Sequence, residues 1–174
     1  MKRLLMGVLA LGLLAVTVES ALAQRNPRAT TQISVGGKMV SVEYGRPALK
    51  GRKVSELLDQ LKPGDFWRLG ADKSTTFSTA ADLQFGDATV PSGEYSLWVG
   101  KAEGDTWKLV FNKQHGQWGT DHDAAQDLTS APLKETKASN SAETVTINLT
   151  KSGAGGMITI QWGDMKLSAG FKAK

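Results

Sequence analysis

The sequence predicts a mainly β chain, an antiparallel β-sandwich or flattened barrel of about ten short strands with one short helix. Three observations carry this. Apolar residues recur with a period of two over most of the chain, turn residues interrupt that pattern every few positions, and helical spacing occurs in one stretch only.

The first residues lie outside the pattern. Lys2 and Arg3 precede an apolar run from Leu4 to Val18, and Ala21-Leu22-Ala23 closes it with a small-x-small exit. That is the layout of a secretory signal peptide over residues 1–23, with cleavage expected between Ala23 and Gln24. The run is short for a membrane span and no second one follows, so no transmembrane segment is expected in the mature chain. The expected address is the periplasm or the extracellular space. Residues 24–30, QRNPRAT, show no periodicity and are expected to be a flexible lead-in, leaving residues 31–174 as a single β domain.

Within that domain Val40, Val42 and Tyr44 alternate with Met39, Ser41 and Glu43, and Gly36-Gly37 joins this strand to "TQISV" as a tight hairpin. Val54, Leu57, Leu58 and Leu61 then recur at helical spacing until Pro63-Gly64 stops them. Short strands follow in "FWRLG", "STTFST", "DLQF", "ATVP", "EYSLWVG" and "TWKLVFN"; Tyr95, Leu97 and Val99 share one face, as do Trp107, Leu109 and Phe111. Residues 112–142 lose the alternation and predict a long polar connection, with a helical turn near "DAAQDL". The pattern returns at Val145, Ile147 and Leu149, at Ile158, Ile160 and Trp162, and at Met165, Leu167 and Ala169, with Gly153 to Gly156 and Gly163-Asp164 expected as turns.

Composition narrows the function classes. There is no cysteine, hence no disulfide framework and no lipid-acceptor site. Removing the signal peptide takes away Lys2, Arg3 and Glu19 and lowers the formal charge from +4 to +3. So small a charge on an exported protein, with acids interspersed and "LKGRK" as its densest basic cluster, predicts no nucleic-acid partner.

The chemistry-bearing residues are few. His115 and His122 lie seven apart beside Asp121 and Asp123, a spacing that matches no standard metal site, so no metal and no cofactor are expected. No nucleophile elbow, phosphate loop, dinucleotide fingerprint or calcium loop occurs, and no catalytic residue is assigned. What remains is arginine and tryptophan gathered at strand ends: Arg46, Arg52, Trp67 with Arg68, and Trp118. A guanidinium fork suits an anion and a tryptophan face suits a sugar ring or a cation. Alternation puts Trp67 and Leu69 on one face and Phe66 and Arg68 on the other, so Trp67 is expected in the core and Arg68 to pair with Glu43, Asp65 or Asp72. Trp98 falls on the polar face with Glu94 and Ser96, where it either covers a second sheet or forms an interaction surface that waits for a partner.

Four motifs in order, "VEYGRPALKGRKV", "FWRLGADKSTTF", "VPSGEYSLWVG" and "WKLVFNKQHGQWG", resemble the secreted bacterial family catalogued as domain of unknown function 2911, over about residues 30–171. The matching positions include Tyr44, Arg46, Lys50, Arg52, Trp67, Arg68, Gly70, Thr75, Tyr95, Asn112, Trp118 and Gly119. Asp72 stands where the family usually has asparagine, Val90 where leucine is usual, and His122 near the place where a tyrosine often follows. The resemblance implies an exported, mostly β protein with no established activity. The expected role is a non-catalytic binding module for a small anionic or carbohydrate ligand, with Arg46, Arg52, Trp67, Arg68, Asp72, Asn112 and Trp118 as ligand-binding candidates. Two alternatives stand beside it: an envelope interaction protein that binds a protein partner through Trp98, and a hydrolase using His115 and His122.

Overall fold

The computed structural model describes residues 26–174. The expected signal peptide, residues 1–23, and the first two residues of the expected lead-in lie outside them. β1 (Arg28–Val35) and β2 (Lys38–Gly45) form the predicted hairpin; Gly36 and Gly37 take φ angles of 59° and 79°, which a two-residue turn requires. β1 therefore starts inside the stretch expected to be flexible. Arg28 pairs with Gly45 across the ladder, and its Nε lies 2.7 Å from Glu43 Oε1.

α1 (Val54–Leu58) is short; it buries Val54 and Leu58 and leaves Leu57 half-buried. Leu61 falls just past it, with its N–H donating to the Leu58 carbonyl at 3.0 Å. Then come β3 (Phe66–Trp67), β4 (Thr76–Thr79), β5 (Leu83–Phe85), β6 (Ala88–Val90), β7 (Gly93–Lys101), β8 (Trp107–Asn112), β9 (Asp127–Ser152) and β10 (Gly155–Ala173). All pairings are antiparallel, in the order β1-β2-β4-β7-β8-β9-β10-β5-β6, with β3 on β7. The sheet bends over on itself into two layers and does not close.

Two expectations about the strands are corrected. Residues 127–142 belong to β9 and not to a connection, which is confined to residues 113–126. That half of β9 lacks alternation because much of it is exposed on both faces, so its extended state comes from hydrogen bonding to β8 and β10 and not from burial. Gly163-Asp164 is not a turn. The ladder to β9 resumes on its far side at Met165, which makes it an irregularity within one long strand.

The core lies between the layers. Phe77 of β4 and Phe111 of β8 meet Phe85 of β5, with ring centroids 6.2 and 5.0 Å from it, and Phe171 of β10 lies 4.9 Å from Phe85. Each of these rings is buried, which contributes on the order of 1.5–3 kcal/mol apiece. The inward faces expected on β7, β8, β9 and β10 are all buried. The far end of β2 is drawn to β9: Tyr44 Oη donates to the Ile147 carbonyl at 3.2 Å, and Val145 N–H to the Pro47 carbonyl at 3.0 Å.

Tyr95 Oη donates to the Pro91 carbonyl at 2.9 Å, and burial, followed by the Asp82 carboxylate, pushes its phenol above the ordinary tyrosine range. The folded protein thus holds this proton more tightly than the unfolded chain. Its contribution to stability is complete below the ordinary range of about 10 and is lost as pH rises through the folded value. Urea midpoints measured from pH 8 upward are expected to fall less steeply in Tyr95→Phe than in the wild type.

Candidate functional site

The segment after β3 sets the site. Leu69 has a φ of 54°, rare for a leucine, and Asp72 one of 63°. Forcing a leucine there costs roughly 1–2 kcal/mol, offset by complete burial of its side chain and by Thr75 Oγ1 donating to its carbonyl at 2.9 Å. The chain therefore leaves the sheet at Arg68. Asp72 needs no amide for its place: aspartate, like asparagine, tolerates the left-handed conformation, and its carboxylate lies 3.5 Å from Asn26 Nδ2.

Over the outer face of β7 and β8 lies the 113–126 connection. Asn112, fully buried, holds it in place: its Nδ2 donates to the Asp123 carbonyl at 2.8 Å and to Asp127 Oδ1 at 2.7 Å, while its Oδ1 accepts from Gln114 N–H at 2.9 Å. A second set of ties joins the connection to the β3–β4 segment. Gly119 N–H donates to the Asp72 carbonyl at 2.8 Å, Ser74 N–H to the Gln117 carbonyl at 2.9 Å, and Lys73 bridges to Trp118. A side chain at Gly119 would start 2.7 Å from the Asp72 carbonyl oxygen and 3.4 Å from Arg68 Cδ, so glycine is what lets the connection close beside the arginine.

Between the connection, β3 and α1 is a recess of about 380 Å³, lined by Leu57, Leu58, Leu61, Phe66, Trp67, Arg68, Trp98, Gly119, Thr120 and His122. Leucines and aromatic rings make its walls. His122 is tilted against Phe66 and Trp98, with centroids 4.2 and 4.6 Å away, and its Nε2 lies 2.9 Å from Asp127 Oδ1. Arg68 is half-buried and, among the described residues, its guanidinium has neither a hydrogen-bond acceptor nor an ion-pair partner. The expected pairings of Arg68 are absent. Glu43 is taken by Arg28 and Asp65 Oδ2 accepts from Lys62 N–H at 2.8 Å.

A family model described as Protein of unknown function (DUF2911) matches residues 26–171, nearly all of the described chain. The chain belongs to that family. No curated protein and no solved structure matches it.

The DUF2911 motif residues do not form one cluster here. Arg46 is a clamp from β2 to β9: its Nη2 donates to Thr144 Oγ1 at 2.8 Å and Thr146 Oγ1 at 3.4 Å, and its Nε to the Val145 carbonyl at 3.3 Å. Arg52 closes its own turn, with Nε donating to the Leu49 carbonyl at 2.8 Å and Nη2 to that of Ala48 at 3.3 Å. Trp67 packs in the core as expected, stacked on Trp162 at 5.6 Å and 9°, and reaches the recess from below. Trp118 is 54% exposed and does not line the recess. Of the seven candidates the recess brings together Trp67 and Arg68, while Asp72 and Asn112 hold the cover.

Trp98 is not a surface. It is 3% exposed beneath His122 and the connection, with Nε1 donating to Ser96 Oγ at 2.9 Å, so the interaction surface expected of it is withdrawn. Sequence reasoning also missed Phe66, Thr120 and the leucines as walls, and Asp127 as the partner of His122. No spacing relates Asp127 to Asn112 and His122 in advance, since they meet only after the connection turns back on β8. His115 sits apart, exposed, with Nδ1 3.7 Å from Glu94. Among the described residues no group of three or more histidines and acids could hold a metal.

Two substitutions test this division. Arg46→Ala leaves the Val145 carbonyl and two threonines without their donor and is expected to lower unfolding free energy by about 1–3 kcal/mol without affecting any ligand effect at the recess. Asn112→Ala strands Gln114 N–H and removes one donor each from Asp127 Oδ1 and from the Asp123 carbonyl, which keeps Gln126 N–H, and is expected to cost about 1–3 kcal/mol; native-state hydrogen exchange should show residues 113–126 opening before the strands do.

Proposed function

We propose that the protein is an exported, non-catalytic binding module and that its ligand is a small anion with an apolar body, held in the recess at Arg68. The observation that carries this reading is the unpartnered guanidinium at a recess otherwise walled by leucines and aromatic rings. The guanidinium nitrogens stay open to solvent, and a ligand carboxylate, phosphate or sulfate would replace that water with two parallel hydrogen bonds. A recess of about 380 Å³ suits a ligand of one ring.

The periplasmic or extracellular address belongs to this proposal and rests on the sequence of residues 1–23. Among the described residues no helix is long and apolar enough to cross a membrane. The alternative role, binding a protein partner at the envelope, no longer has Trp98 to rest on; Trp118 is the exposed tryptophan that would serve it.

A thermal-shift screen of residues 24–174 against carboxylates, phosphate and sulfate tests the reading. An anion at a hundred times its dissociation constant is expected to add about 2.7 kcal/mol. Arg68→Ala, which breaks no bond among the described residues, should melt close to the wild type and lose the ligand effect. A variant that melts early while no anion shifts the wild type would make Arg68 a structural residue.

A further inference from the structure

Resting on the reading of the recess as an anion site, we propose that its ligand is an aromatic ring bearing a hydroxyl group besides the anion, and that His122 recognises that hydroxyl. The argument begins at Asp127. Its Oδ1 accepts from Asn112 Nδ2 at 2.7 Å and lies 2.9 Å from His122 Nε2. A carboxylate offers only acceptors, so Nε2 carries the proton and donates. A neutral imidazole has one N–H, and Nδ1 is therefore left as an acceptor.

Nδ1 has no partner among the described residues. The buried side-chain nitrogens and oxygens left without one there are Gln114 Oε1 and Trp162 Nε1, so Nδ1 is open to solvent although the side chain is only 11% exposed. The ring lines the recess and packs against Phe66 and Trp98. The recess lining thus holds two polar groups of opposite kind, a guanidinium donor at Arg68 and an imidazole acceptor at His122, with Thr120 as its one side-chain hydroxyl. Leu57, Leu58, Leu61 and Phe66 fill the rest and offer no hydrogen bonds. A sugar acid would set several hydroxyls against walls that offer them no partner, whereas an aromatic ring with one hydroxyl matches both the apolar walls and the acceptor.

The test is calorimetric titration of residues 24–174 with 3- and 4-hydroxybenzoate, the corresponding methoxybenzoates and benzoate at pH 8. One hydroxybenzoate is expected to bind about five- to tenfold tighter than both its methyl ether, which lacks the donor, and benzoate. In His122→Phe, which keeps a ring packed against Phe66 and Trp98, that advantage should vanish while benzoate still binds; the wild-type comparison stands alone if the variant does not fold. Equal affinity for all the arenes in the wild type, lost in Arg68→Ala, overturns the role of His122 and leaves the anion site standing. Absence of binding by every arene, with phosphate or sulfate stabilising the wild type but not Arg68→Ala, overturns the aromatic ligand alone. No Arg68-dependent effect from arene or inorganic anion overturns both readings.

Discussion

The double use of β9 is the constraint on which the molecule depends. Its first residues pair with β8 and most of the later ones with β10, so one continuous strand belongs to both layers. Because it is hydrogen-bonded to a strand of each layer, the layers cannot separate without breaking a ladder. The same strand receives the Arg46 clamp and the Tyr44 hydroxyl, which bring the end of β2 across the core. The core phenylalanines fill the space so defined.

A second constraint builds the site upon the first. Most of β7 and β8 is buried on both faces, the inner by the opposite layer, while the 113–126 connection covers Ser96 and Trp98 on the outer one. Covering an outer sheet face with a polar segment demands that its backbone groups find partners. Asn112 and the backbone of residues 72–74 supply them. The cover meets the β3–β4 segment at Gly119 and forms one wall of the recess beside Arg68 in doing so.

Three motif arginines of one residue type end in three situations. Arg46 and Arg52 spend their donors on the protein itself, whereas Arg68, turned off the sheet by a left-handed leucine, is left with donors to offer. The strain at Leu69 belongs with this outcome, since an extended residue there would have continued β3 and carried the chain along the sheet. The Asn112–Asp127–His122 chain acts in parallel by fixing which nitrogen of His122 carries its proton.

The β1–β2 hairpin, the short helix and the inward faces of β7, β8 and β10 were legible because a period of two, a glycine pair and a proline-glycine stop act over neighbouring residues. The second face of β7 was not: Trp98 alternates with core residues and looks exposed until the connection is laid over it. The polar half of β9 was illegible for the opposite reason, its extended state coming from partners and not from its own side chains. Local order thus determined the strands, their core faces and the family motifs. Tertiary contact decided which arginine keeps free donors, which tryptophan is covered and which histidine nitrogen meets a carboxylate, because each depends on residues from separate segments that meet only when the sheet has folded over.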